Sequence, residues 1–140
     1  MSQSFPVLLA DFDATLALGR ELGQAAQAGD VIALVGDLGA GKTTLTQGIV
    51  DGLDYQQEVT SPTFSLVQEY LGGRLEVFHF DFYRLESEHE LLDLGWDDYL
   101  DRQGLVIVEW PTLHPDLLPK NTRWLKLSHR EEGRLVEEGF

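Results

Sequence analysis

One short stretch limits the fold of this chain more than any other part, namely GDLGAGKT at residues 36–43. It has the form G-x-x-x-x-G-K-[ST], in which the glycines let backbone N–H groups approach phosphate oxygens with no Cβ in the way. The apolar run Val31–Val35 precedes this stretch, and a helical pattern from Lys42 to Val50 follows it. A buried strand, a glycine-rich turn and a helix in this order predict a phosphate-binding P-loop within an α/β fold.

The motif predicts a task for each of its polar residues. Lys42 can reach the β- and γ-phosphates of a nucleotide, and the Thr43 hydroxyl can ligate Mg²⁺. The N-terminus of the following helix favours negative charge. The nucleotide-binding residues predicted from this stretch are Asp37, Leu38, Gly39, Ala40, Gly41, Lys42, Thr43 and Thr44.

A P-loop also needs a carboxylate at the end of a neighbouring strand, and the sequence offers two. Glu109 directly follows the apolar run at 105–108, and Asp81 ends a second strand-like run. Strand alternation places His79, Asp81 and Tyr83 on one face of that second strand. Either carboxylate can hold Mg²⁺ or orient a water molecule, and spacing leaves open which one does so. For His79 we expect a packing or hydrogen-bonding role.

Hydroxyl groups are concentrated around a proline in the segment TSPTF at residues 60–64. P-loop proteins place a nucleotide-sensing switch in this part of the chain, so the hydroxyls of Thr60, Ser61 and Thr63 are predicted to contact the γ-phosphate, its Mg²⁺ or the attacking water. The alternative is a simple turn in which Pro62 sets the backbone angle.

The rest of the pattern predicts one α/β domain over residues 1–140, with a mixed, mainly parallel sheet and helices on both faces. Asp13 is predicted to cap a first helix that stops near Gly29. Two strand-like runs around Gly72-Gly73 predict an antiparallel hairpin. Further predictions are a first strand at 7–9, a helix at 88–94, a buried strand at 105–108 and closing strands at 124–127 and 134–136.

Composition narrows the classes of function. There are 24 acidic and 10 basic residues, giving a net charge of −14, which argues against nucleic-acid binding by the isolated chain and against docking on an anionic membrane. There is no cysteine, no basic leader at the N-terminus and no apolar run of about 20 residues. We therefore expect a cytoplasmic protein. The absence of an [NT]-K-x-D motif favours ATP over GTP, and the scattered arginines argue against a small-molecule kinase.

Four blocks taken together point to a family. GDLGAGKTT (36–44), TSPTF (60–64), HFDFYRL (79–85) and EWP (109–111) closely resemble the TsaE (YjeE) family, in this order and spacing. The resemblance runs from about Asp13 to near the C-terminus. It implies a P-loop ATPase that serves the formation of N6-threonylcarbamoyladenosine (t6A) at position 37 of tRNAs reading ANN codons. The partners implied are TsaB and TsaD, with TsaD performing the transfer, and tRNA is met only through that complex.

The resemblance also implies roles for individual residues. Thr43 and Glu109 would ligate Mg²⁺, and Lys42 would bind phosphate. Asp81 and Thr63 would position water or sense the γ-phosphate. Two more positions are implied to lie near the nucleotide, Thr15 in the first helix and Arg134 close to the adenine.

Two functional hypotheses remain open at this point. In the first, Mg-dependent ATP hydrolysis, weak in the chain alone and stimulated by partners, resets the TsaB–TsaD complex between turnovers. In the second, the protein is an ATP-gated assembly switch in which hydrolysis is not the main role.

Overall fold

The computed structural model describes residues 5–36, 41–55 and 66–139 of the chain. Strands and helices alternate along it, as the hydrophobic pattern predicts. The strands are β1 (Val7–Leu9), β2 (Val31–Val35), β3 (Val67–Tyr70), β4 (Val77–Asp81), β5 (Leu105–Glu109), β6 (Arg123–Arg130) and β7 (Gly133–Glu138). The α-helices are α1 (Phe12–Ala25), α2 (Lys42–Gly52), α3 (Glu88–Leu94) and α4 (Trp96–Asp101), and 3-10 helices cover Phe82–Arg84, Pro111–Leu113 and Pro115–Leu117.

The described residues form one seven-stranded sheet in the order β1-β7-β6-β2-β5-β4-β3. The four central strands β6, β2, β5 and β4 run parallel to one another. The outer pairs β1–β7, β6–β7 and β3–β4 are antiparallel. This confirms the expected mixed sheet with a parallel centre and an antiparallel hairpin.

Helices cover the central strands on both faces, as expected. On one face α1 and α2 pack against the sheet through a cluster that includes Leu18, Ile49 and Ile107. On the other face α3 and α4 pack through a cluster that includes Leu91 and Trp96. Strands buried on both faces need continuous apolar runs, which explains the composition of β2 and β5.

Glycines bring α1 and α2 into close contact. Gly19 and Gly23 in α1 face Gly48 and Gly52 in α2. A Cβ added at Gly19 would lie 2.7 Å from the Cα of Gly48, and one added at Gly52 would lie 2.4 Å from the carbonyl oxygen of Arg20. The two backbones therefore touch with no side chain between them. This contact holds α2 directly against α1.

The start of α1 differs from the prediction. The Asp11 carboxylate accepts a hydrogen bond from Ala14 N–H at 2.9 Å, so the cap is Asp11 and the helix begins at Phe12. The cap assigned to Asp13 was wrong, because Asp13 lies within the first turn, where a carboxylate is still favourable. The helix ends at Ala25, four residues short of Gly29.

The connection between β3 and β4 is longer than the two glycines predicted. It spans residues 71–76 because Arg74 is held on another part of the fold. The Arg74 N–H donates to the Leu53 carbonyl at 2.7 Å. The Arg74 guanidinium donates to the carbonyls of Gly23 and Ala26 at the end of α1. The loop therefore caps the first helix, a role that local turn patterns do not reveal.

Candidate nucleotide-binding site

Lys42 and Glu109 meet at the edge of the sheet where the parallel strands end. Lys42 is the first residue of α2, directly after the loop that leaves β2, and Glu109 is the last residue of β5. Because β2 and β5 are parallel neighbours, their carboxyl ends lie side by side. Lys42 Nζ lies 3.8 Å from Glu109 Oε1, and both residues are only 7% exposed. The structure thus brings together two residues predicted from separate motifs.

The second Glu109 oxygen accepts a hydrogen bond from a histidine. His79 Nε2 lies 2.6 Å from Glu109 Oε2, and the His79 side chain is completely buried. Burial alone would raise the pKa of Glu109. The interactions with His79, and to a smaller extent those with Lys42, outweigh burial and lower the pKa of Glu109 below its usual value, so Glu109 is a carboxylate at neutral pH.

Asp81 lies beside Glu109 in the register of β4 and β5. Burial and, to a smaller extent, the charge of Glu109 raise the pKa of Asp81, and they outweigh the opposing hydrogen bond from Tyr83 N–H. Arg84 Nε lies 3.6 Å from the same carboxylate. The expectation that Tyr83 shares a strand face with Asp81 was wrong, because β4 ends at Asp81 and Tyr83 belongs to a 3-10 helix, 68% exposed.

Trp110 is a site residue whose contacts sequence reasoning missed. Lys42 Nζ lies 4.7 Å from the centroid of its indole, and the Tyr83 ring lies 5.2 Å from it on centroids. The Trp110 backbone has φ 57°, a left-handed value that is costly for a bulky residue and more so before Pro111. Strain of this kind concentrates at functional sites. The sequence signals for Trp110 are its position after Glu109 and its place in the EWP block, and neither indicates these contacts.

A cavity of about 200 Å³ lies next to the end of the phosphate loop. Its lining contains Gly41 and Thr44, together with Thr15 from α1 and Arg134 from β7. The structure thus gathers both residues that were expected near the nucleotide. It adds Phe12, 63% exposed at the start of α1, which was not predicted. An exposed aromatic ring on such a wall offers a flat apolar surface.

Several predicted site residues lie outside the described part of the chain, namely Asp37, Leu38, Gly39, Ala40, Thr60, Ser61 and Thr63. Thr43 is the second residue of α2 and exposed. Among the described residues, no group of three or more His, Cys, Asp or Glu side chains could hold a metal ion. A threonine hydroxyl and a carboxylate still fit Mg²⁺, which is commonly bound by one or two protein oxygens plus nucleotide phosphates.

Three features together define a class of fold. They are a buried strand, a lysine at the start of the helix that follows it, and a carboxylate at the end of the adjacent parallel strand. The chain has the P-loop NTPase-like α/β fold. The crystal structure of YdiB from Bacillus subtilis superposes on it with a TM-score of 0.79 and 32% sequence identity, over 99% of this chain and 86% of that one.

Comparison with known sequences identifies the family. Residues 9–136 match the model of the threonylcarbamoyl adenosine biosynthesis protein TsaE, so the chain belongs to the TsaE family. A tRNA threonylcarbamoyladenosine biosynthesis protein TsaE from Nostoc is 44% identical over 95% of this chain and 83% of its own length. The TsaE of Bacillus subtilis is 46% identical over 76% of this chain and 66% of its own.

In the ranges that the structure describes, no helix combines the length and apolarity needed to cross a bilayer.

Proposed function

We propose that this protein binds and hydrolyses ATP with Mg²⁺ in the cytoplasm, as a subunit of the machinery that makes t6A in tRNA. It acts on the TsaB–TsaD complex to allow repeated turnover and does not itself transfer the threonylcarbamoyl group. The names of its relatives, which refer to tRNA threonylcarbamoyladenosine biosynthesis, support the pathway. The geometry of the site supports the ATPase.

The observation that carries the proposal is the buried pair Lys42 and Glu109, 3.8 Å apart at the exit of β2. A lysine at this position binds the β- and γ-phosphates, and a carboxylate on the neighbouring strand serves the metal side of the nucleotide. The lowered pKa of Glu109 keeps that carboxylate charged at neutral pH. Neither residue has an evident structural reason to be buried as an ion, since apolar side chains would pack at lower cost.

Thr43 and Glu109 are the proposed Mg²⁺ ligands. When bound there, Mg²⁺ neutralises charge on the phosphate oxygens. Asp81 is the residue proposed to orient the attacking water and accept its proton, which is supported by its position next to Glu109 in the sheet and by its raised pKa. Thr63, outside the described residues, is proposed to sense the γ-phosphate.

The cavity formed by Phe12, Thr15 and Arg134 is the proposed site for the nucleoside part of ATP. It borders Gly41 and Thr44, so a nucleotide whose phosphates lie on the loop can extend into it. Arg134 supplies a cation, and Phe12 supplies a ring surface on which a base can stack.

Phosphate release from Mg-ATP tests the proposal directly. We expect slow release by the chain alone and clear stimulation by TsaB, TsaD and unmodified tRNA, with Lys42→Ala as the inactive control. Binding of ATP without any stimulation would instead favour an ATP-gated assembly switch. A Glu109→Ala protein that still supports multiple rounds of modification would lead to the same conclusion.

A further inference from the structure

We propose that His79 is the residue that positions Glu109, holding its carboxylate by a hydrogen bond from Nε2–H. The functional importance of this contact rests on the proposed role of Glu109 beside Mg-ATP. The contact itself is observed in the structure and does not depend on that role. Sequence reasoning gave His79 only a general packing or hydrogen-bonding role.

The sheet register explains how the two side chains meet. His79 is opposite Ile107 in the β4–β5 pairing, and Asp81 is opposite Glu109. His79 and Glu109 are therefore diagonal neighbours on adjacent strands and point to the same face. Side chains of this length reach across such a diagonal, and the two atoms lie 2.6 Å apart.

The contact divides the Glu109 carboxylate between two partners. Oε2 is taken by His79, while Oε1 faces Lys42 Nζ at 3.8 Å, beyond hydrogen-bond distance. His79 thus fixes the plane of the carboxylate and leaves Oε1 on the side of the phosphate loop. A ligand carboxylate held in this way needs no rotation when the nucleotide arrives.

The geometry also assigns the proton. An ionised carboxylate only accepts hydrogen bonds, so the proton between the two atoms belongs to His79 Nε2. His79 Nδ1 is buried and has no hydrogen-bond partner among the residues that the structure describes. His79 therefore donates to Glu109 through Nε2–H.

Nuclear magnetic resonance of protein labelled with ¹⁵N-histidine tests the contact without any nucleotide. We expect one of the four histidines to show a slowly exchanging Nε2–H signal, because this proton is buried in the contact with Glu109. This signal should disappear in His79→Phe and shift in Glu109→Gln. A ring protonated on Nδ1 alone, or an Nε2–H signal unaffected by Glu109→Gln, would overturn the assignment.

Binding of a fluorescent ATP analogue across a Mg²⁺ series tests the positioning role. In His79→Phe, which keeps the ring shape and loses the donor, we expect the half-saturating Mg²⁺ concentration to rise about 10- to 100-fold. Binding without Mg²⁺ should change less than about threefold, a split that a general loss of folding does not produce. His79→Gln retains an N–H donor and should recover part of the effect.

His89, exposed on α3, provides the matched control, and His89→Gln should match the wild type in every measurement. An unchanged Mg²⁺ dependence in both His79 variants would overturn the positioning role. If the wild-type chain failed to bind ATP at all, the proposed function would fail, and the histidine spectrum would still decide whether the contact exists. Should His79→Phe not fold, His79→Gln and the wild-type spectrum provide the test.

Discussion

At the level of single residues, the environment of Asp81 lowers the stability of the folded protein while keeping a carboxylate in the proposed active site. Its pKa is raised mainly by burial, so its charged form is less favourable in the folded than in the unfolded protein. A raised carboxyl pKa lowers the stability of the folded protein by an amount that is absent below the ordinary value of 3.8, grows as the pH rises towards the folded pKa and is fully present above it. Residues kept charged at such a cost are common in active sites.

We therefore predict that Asp81→Asn is more stable than the wild type at pH 7, because the substitution removes the cost of keeping a charge at a partly buried position. The difference should shrink as the pH falls towards about 4, in urea unfolding measured across a pH series. Phosphate release should drop about 100-fold, the usual effect of removing a general base. A less stable Asp81→Asn protein at pH 7 would show that the charged carboxylate does not destabilise the fold.

Phe12 supports a second prediction at this scale. Truncation in Phe12→Ala should weaken ATP binding by about fivefold or more, since stacking of a base on an aromatic ring contributes roughly 1–3 kcal/mol. Titration calorimetry with ATP measures the change. Leu92→Ala, which truncates a similarly exposed apolar residue on α3, is the control and should bind normally. Equal affinity of the two variants would place the base elsewhere.

At the level of elements, the close contact between α1 and α2 reverses the usual effect of a glycine substitution. Glycine to alanine within a helix normally stabilises by about 0.5–1 kcal/mol. At Gly19 the added Cβ would lie 2.5 Å from the Leu45 carbonyl oxygen, and backbone atoms cannot yield as side chains do.

We expect Gly19→Ala to lower the free energy of unfolding by about 1–3 kcal/mol, as overpacked cores do. Gln24→Ala, at an exposed position of the same helix, should be neutral or slightly stabilising. Chemical denaturation of both variants measures the difference. A stabilised Gly19→Ala protein would mean that the helices separate without cost.

The elements recovered from sequence are those whose signals are local. Helix α3 runs from Glu88 to Leu94 and ends at Gly95, as predicted, because Gly95 adopts φ 104°. β2 and β5 were recovered from their apolar runs. Helix α4 was missed because it begins directly after Gly95, with no separate cap side chain to mark it. The loop held by Arg74 was missed because its partners lie about fifty positions away.

In the site, too, features with local sequence signals were predicted and features that depend on distant residues were missed. The nearness of Lys42 to Glu109 followed from two motifs and the rule that parallel strands end at one edge. The contacts of His79 and Trp110 did not follow, because they depend on strand register and on a backbone angle that no local pattern encodes. Side chains 30 positions apart, as in the His79–Glu109 pair, become neighbours only once the sheet is known.

At the level of the whole molecule, the excess of acidic residues bears on whether the isolated chain can bind tRNA. With 24 acidic and 10 basic residues, the chain has little capacity to neutralise phosphates. We predict no measurable binding of tRNA by the isolated protein at physiological salt, assayed by filter binding or fluorescence anisotropy. Submicromolar binding by the isolated chain would contradict the prediction.

The strand order has a consequence for how the protein is made. β2, which leads into the phosphate loop, is flanked in the sheet by β5 and β6, and both are encoded much later in the chain. During synthesis β2 therefore emerges long before either neighbour, and Glu109 arrives only with β5. Pairings between such distant segments form slowly, and unpaired strand edges are prone to aggregation. A polypeptide released early from the ribosome would thus contain the whole GDLGAGKT stretch but lack the nucleotide site, and it would expose unpaired, aggregation-prone strand edges.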